Sequence, residues 1–89
     1  MTILKITYTR GDAATRPGGV ILRQYDNGEF VAHHFVRAPR STKPTEYFWG
    51  RYCNTEAKGI EAYNKKRSSV RHSIIAKADI AQEPLSYDA

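Results

Sequence analysis

Apolar and polar residues alternate over residues 2–10, with Leu4, Ile6 and Tyr8 on one side and Ile3, Lys5, Thr7 and Thr9 on the other. A period of two marks a strand with one buried face, so the chain opens on a β-strand. Residues 20–25 and 29–37 are two further β-rich runs, joined by Asp26-Asn27-Gly28. Asn-Gly accepts the positive φ angles of a tight turn, so the two runs read as a hairpin. With Asn27-Gly28 as a two-residue turn, Tyr25 pairs with Phe30, Arg23 with Ala32 and Ile21 with His34, while Leu22 faces His33 and Val20 faces Phe35. That register puts Val20, Leu22, Val31 and Phe35 on a core face, and Arg23, Tyr25, Phe30 and His34 on an amphipathic face fit for binding. A fourth run, Glu46-Tyr-Phe-Trp-Gly-Arg-Tyr-Cys53, carries β-favouring aromatics around Gly50, where a bulge or a close backbone approach is expected.

From Glu56 the period becomes that of a helix. Ile60, Tyr63 and Val70 line one side, Gly59 and Arg67 flank them, and Lys58, Glu61, Ala62 and Lys65 fall on the solvated side. Asn54 or Thr55 can cap the helix, with Glu56 in its first turn and Lys65, Lys66 and Arg67 near its end, as the helix dipole favours. Gly59 costs roughly 1 kcal/mol against Ala there; it either marks close approach to a sheet or is simply tolerated. Residues 73–80 read as a strand or extended segment, although Val70, Ile74, Ala78 and Ala81 also continue the helical stripe. Residues 83–89 read as a flexible tail. Strand runs followed by a helical one predict an α+β domain over residues 1–82, an antiparallel sheet of about four strands packed by one principal helix.

Composition adds a direction to this outline. The chain has 89 residues, with 14 Lys+Arg against 9 Asp+Glu and a formal net charge of +5, which favours an anionic partner. The single cysteine, Cys53, cannot form an intrachain disulfide, and a reducing compartment, the cytoplasm, is expected. No signal-peptide pattern and no apolar run near ~20 residues is present, so neither secretion nor a membrane role is expected.

Catalytic and metal signatures are missing from the sequence. Residues 11–19 end in Pro17-Gly18-Gly19 without the Lys-Ser/Thr of a phosphate-binding loop. His33, His34, His72 and Cys53 do not match zinc spacing, since adjacent strand residues point to opposite faces; a core-facing His33 and a sheet-surface His34 are expected. A metal-independent ribonuclease would draw on His34, Tyr25, Arg23 and Lys43, residues that an ordinary basic sheet surface also holds. What remains is interleaved aromatic and basic side chains: Tyr25, Phe30, Tyr47 and Trp49 beside Arg23, Arg37, Arg51 and Lys43. Such a set can stack bases and hold phosphates, or anchor a protein interface. Trp49 can equally pack beneath the helix. The proline-punctuated stretch 38–45, with Arg40 and Lys43, reads as a solvated loop or a phosphate-contacting arm.

Trp49-Gly50-Arg51, with strands before it and Ile60-Glu61-Ala62-Tyr63-Asn64-Lys65-Lys66-Arg67 after it, resembles the WGR domain, a DNA-contacting module of some poly(ADP-ribose) polymerases. That resemblance implies DNA contacts from Trp49 and Arg51. The WGR pattern has a further Gly and another strand before its helix, whereas here Asn54-Thr55 follows almost at once. Residues 47–67 are also similar to small proteins encoded by phages and mobile elements, a group that includes anti-CRISPR inhibitors acting by occlusion without catalysis. The expectation is therefore a non-enzymatic binding protein in the host cytoplasm, needing no cofactor, metal or small-molecule substrate. Its partner would be a host protein or nucleoprotein complex of the CRISPR type, contacted through Arg23, Tyr25, Arg37, Arg40, Lys43, Trp49 and Arg51. The alternative is a DNA/RNA-binding module.

Overall fold

The structure, a computed structural model, describes residues 1–11 and 15–82, without the side chains of His72, Ala81 and Gln82. The expected tail at 83–89 and part of the 11–19 connection lie outside the described residues. The four expected β-runs form β1 (Thr2–Thr9), β2 (Gly18–Gln24), β3 (Phe30–Arg37) and β4 (Pro44–Cys53), followed by helix α1 (Glu56–Ser69). A two-residue strand β5 (Ile74–Ile75) lies between 3-10 segments at Arg71–Ser73 and Lys77–Gln82. The sheet is antiparallel throughout, in the order β4-β3-β2-β1-β5. This is the expected α+β arrangement of a sheet packed by one helix, with a short fifth strand on the β1 edge. Residues 73–80 thus combine a brief strand with a 3-10 segment, and the helical alternative stops at Ser69.

The hairpin register differs from the expected one by one residue. Gln24 pairs with Phe30, Leu22 with Ala32, Ile21 with His33 and Val20 with His34. The cause is the turn. Tyr25 N–H donates to the Glu29 carbonyl (2.8 Å), and Gly28 N–H to the Tyr25 carbonyl (2.9 Å), so Asp26, Asn27 and Gly28 form a three-residue loop. Gly28 takes the left-handed position at φ 89°, which glycine occupies without steric cost. The Asn27 side-chain oxygen accepts from Glu29 N–H at 3.0 Å. Because side chains alternate, the slip moves Phe30 and His34 onto the face with Val20 and Leu22, and Val31, His33 and Phe35 onto the face with Arg23.

Each face then has its own core. On the α1 side, Val20, Leu22, Phe30, Ala32 and Tyr63 are buried, with Cys53, Ile60, Ala62 and Val70 packed against them. Ala62, expected in solvent, belongs to this packing. Gly59 marks a close approach: a Cβ there would lie 3.1 Å from both Leu22 Cδ1 and Phe30 Cβ. Thr55 caps the helix by accepting from Lys58 N–H at 3.3 Å. Tyr63 and Arg67 reach back to β1, the Tyr63 hydroxyl and Arg67 Nε both bonding Thr7 Oγ1.

On the other face Tyr8, Ile21, Phe35 and Ile80 are buried, with Ile6 and Ile75 against them, so the C-terminal 3-10 segment covers this end of the sheet. Ile3 and Leu4 are exposed, next to a register shift in β1 between Ile3 and Lys5, so the expected apolar stripe is buried only from Ile6 onward.

Candidate functional site: a basic groove at the edge strand

The β4 edge departs from regular geometry where its aromatics are densest. The register shifts between the Ala32–Arg51 and His34–Phe48 pairs, so Trp49 and Gly50 together oppose His33. This is the bulge expected at Gly50, but the left-handed residue is Trp49, at φ 55°. A bulky residue there costs on the order of 1–3 kcal/mol and persists only when its surroundings fix it. Lys66 Nζ supplies such a fixture, donating to the Trp49 carbonyl at 2.8 Å. The indole is 72% exposed, so Trp49 does not pack beneath the helix. Its ring meets His34 edge-on at 5.4 Å and Phe48 at 4.9 Å.

Beside this bulge, β4 and α1 enclose an open groove of about 740 Å³. Arg51, Lys58, Lys65 and Lys66 line it, against two carboxylates, Glu29 and Glu61. His34, Asn54 and Ser69 contribute hydrogen-bonding groups to its wall. Burial first, and the neighbouring Lys66 charge second, lower the His34 pKa, so its imidazole is neutral at pH 7. The groove can therefore hold anions through ammonium and guanidinium groups, with an exposed indole beside its rim. Lys58, Lys65 and Lys66 were not among the expected contact residues, and His34 was expected on a binding face with Arg23 and Tyr25, from which the register separates it. The lysines looked like an ordinary solvated helix face, and only their spacing of seven and eight residues, two turns apart, hints that they share one wall.

The expected contact residues separate into four groups. Trp49 and Arg51 lie at the groove or its rim. Arg40 and Lys43 are exposed in the β3–β4 loop, away from the groove lining, with Arg40 at φ 65°. Arg37 does not fit a contact role. It is fully buried, donating to the carbonyls of Thr9 (3.0 Å), Ser41 (3.3 Å), Gly18 (3.4 Å) and Ala38 (3.5 Å), where it ties the β3–β4 loop to β1 and β2.

Arg23 and Tyr25 are on the face away from α1. Arg23 is only 7% exposed. Its Nη2 donates to His33 Nε2 at 2.8 Å and to the Tyr25 hydroxyl at 3.2 Å, its Nε approaches the same imidazole nitrogen at 3.2 Å, and its guanidinium stacks 4.1 Å from the Tyr47 ring centre. A guanidinium has only donors, so His33 Nε2 must accept and the imidazole proton sits on Nδ1. Burial, followed by the charges of Arg23 and Lys66, holds His33 down to about 4. His33 and His34, on opposite faces, cannot meet as one catalytic pair; the side chain of His72 lies outside the described ones. None of the described helices is long and apolar enough to cross a membrane.

No family model matches the chain, and no curated protein or solved structure matches it.

Proposed function

We propose that this chain is a non-catalytic binding protein that grips the nucleic-acid part of a nucleoprotein complex in the groove between α1 and β4. The observation behind this reading is the pairing of four groove cations with an exposed indole on a backbone bulge that Lys66 holds through the Trp49 carbonyl. Cations that track a backbone, with an aromatic plane on which a base can stack, make up the usual chemistry of single-strand binding. The likeness of residues 47–67 to small phage proteins gives the setting, occlusion of a host defence complex of the CRISPR type. A second reading, a free-standing DNA/RNA-binding module, draws on the same exposed Trp49 and on Arg51.

The test is fluorescence anisotropy with a labelled dT20 oligonucleotide across a salt series, for the wild type and a Lys58→Glu/Lys65→Glu variant. Binding should weaken steeply with salt, and the variant should lose affinity by about tenfold or more with a shallower salt slope. No binding at low salt, or binding indifferent to the charge reversal, would refute the groove. A pull-down from host lysate with and without nuclease then divides the two readings. A discrete nucleoprotein component retained after nuclease and lost in the variant favours the inhibitor; nuclease-sensitive material alone favours the free module.

A further inference from the structure

The face turned away from α1 holds a buried positive charge with no anionic partner among the described residues. Arg23 bonds only to a neutral imidazole and a phenol, and no carboxylate among the described residues pairs with it. Removing a cation from water carries an effective penalty of several kcal/mol, ordinarily offset by an opposite charge. The ring of Tyr47 offsets part of this through a desolvated cation–π contact. The site is rigid: His33 and Tyr25 fix two guanidinium nitrogens, and Tyr47 stacks on both the guanidinium and the imidazole, the latter at 5.0 Å.

One nitrogen of this guanidinium, Nη1, has no hydrogen bond among the described residues. Every fully buried side-chain nitrogen and oxygen among the described residues has a partner, so Nη1 must reach solvent. It does so in a setting that is otherwise apolar and aromatic. Tyr47 is 40% exposed, Tyr52 is 60% exposed with its ring 6.3 Å from Tyr25, and Ile3, paired across the sheet with Arg23, is 55% exposed. Arg51 belongs to the groove on the helix side, and Tyr52, paired across the sheet with Val31, borders that groove as well. A run of phosphates would need several cations here, whereas one arginine within a tyrosine wall is the composition of a protein-interface anchor.

We propose that this face is a second docking site, taking an aspartate or glutamate side chain of a protein partner onto Arg23, with apolar residues flanking that carboxylate against Tyr47, Tyr52 and Ile3. The site lies across the sheet from the groove cations, with Tyr52 bordering both, and does not depend on the groove's function. A nucleoprotein partner would then be held twice, by its strand in the groove and by its protein surface on the opposite face of the sheet.

The probe is the peptide N-acetyl-Leu-Glu-Leu-amide, compared with its Gln counterpart, titrated into isotope-labelled protein and followed through the Arg23 Nε–H signal and the Tyr47 and Tyr52 ring signals. The Glu peptide should give saturable shifts at all three positions, with affinity about tenfold or more above that of the Gln peptide. Arg23→Gln should abolish this preference. Tyr52→Ala, at an exposed position that leaves the Arg23 contacts intact, should weaken both peptides, which keeps the test decisive if Arg23→Gln does not fold. The Lys58→Glu/Lys65→Glu variant should bind the Glu peptide like the wild type, separating this site from the groove. Equal response to the two peptides, no shift at Arg23, or a larger Arg23 shift with dT20 than with the Glu peptide would overturn the proposal.

Discussion

His33 and His34 are adjacent in sequence and point to opposite faces of β3, where the same side chain meets two different environments. His33 is buried, accepts from Arg23 and is held down to about 4. His34 is half-buried, stacks on Phe48 at 5.8 Å and faces a groove of lysines. The difference extends to the two faces as wholes. On the α1 side the cations stand in an open groove and can meet a polyanion. On the far side Arg23 is embedded in aromatic rings and fixed by neutral partners, and Arg37 is buried altogether among carbonyls beside Tyr8. Net charge cannot tell these arrangements apart, although they imply different partners: a strand of phosphates for the first, one carboxylate in an apolar setting for the second.

The comparison can be broken most forcefully at the cores. If the far face were only a polar skin on a domain built around α1, Phe35→Ala would be mild. Because Phe35 is buried against Tyr8, Ile21 and Ile80, its loss should cost about 3–5 kcal/mol in urea unfolding, matching or exceeding Leu22→Ala under the helix at about 2–5 kcal/mol. A Phe35→Ala cost under about 1 kcal/mol would mean that the far core carries little of the fold.

Acid sharpens the contrast between the histidines. A histidine whose folded pKa lies below its unfolded value contributes no loss above about pH 6.5, where both states are neutral. As pH falls from there to about 4, the unfolded chain takes up a proton that buried His33 refuses, so stability should drop by roughly 3 kcal/mol and then level off. His33→Gln keeps an acceptor for Arg23 and cannot titrate, so it should flatten this slope. His34 is shifted in the same direction, but its half-buried position makes His34→Gln the smaller correction. Unfolding midpoints at several pH values across this window check both, and an unchanged slope in His33→Gln would remove the assignment.

The smallest expected change in stability carries a large change in binding. Trp49→Ala deletes an exposed ring and should leave stability within about 0.5 kcal/mol. Loss of a base-stacking plane should weaken dT20 binding by about 1–3 kcal/mol in the anisotropy assay. A large loss of stability would instead make Trp49 a packing residue of the groove wall.

The elements that depend on local pattern were legible in the sequence, while contacts across the sheet were not. Alternation announced β1, β-rich composition and the Asn-Gly turn announced β2 and β3, aromatics announced β4, and Asn54-Thr55-Glu56 announced the start of α1, because all of these are properties of neighbouring residues. The hairpin was legible but its register was not, since Asp26-Asn27-Gly28 suits both a two-residue turn and a three-residue loop. That one-residue ambiguity decided which face every side chain of β3 occupied. Arg23 and Arg37 looked like surface charges for a related reason. Their partners, the ring of Tyr47 in one case and the carbonyls of Thr9 and Gly18 in the other, come from other strands whose register had to be known first. At the candidate site, Trp49 and Arg51 stood out from sequence as an aromatic–basic pair, but the lysine wall facing them exists only because α1 folds back over β4.

The bulge at Trp49 also bears on how this chain avoids itself. An edge strand ten residues long, rich in exposed tyrosine and tryptophan, is a template onto which another chain could add a strand. The left-handed turn at Trp49 interrupts that template, leaving only short regular stretches on either side, while the opposite edge of the sheet ends in the two residues of β5. Replacing the kink with straight backbone would leave a continuous sticky ribbon. The same distortion that exposes the indole therefore also limits strand addition along β4.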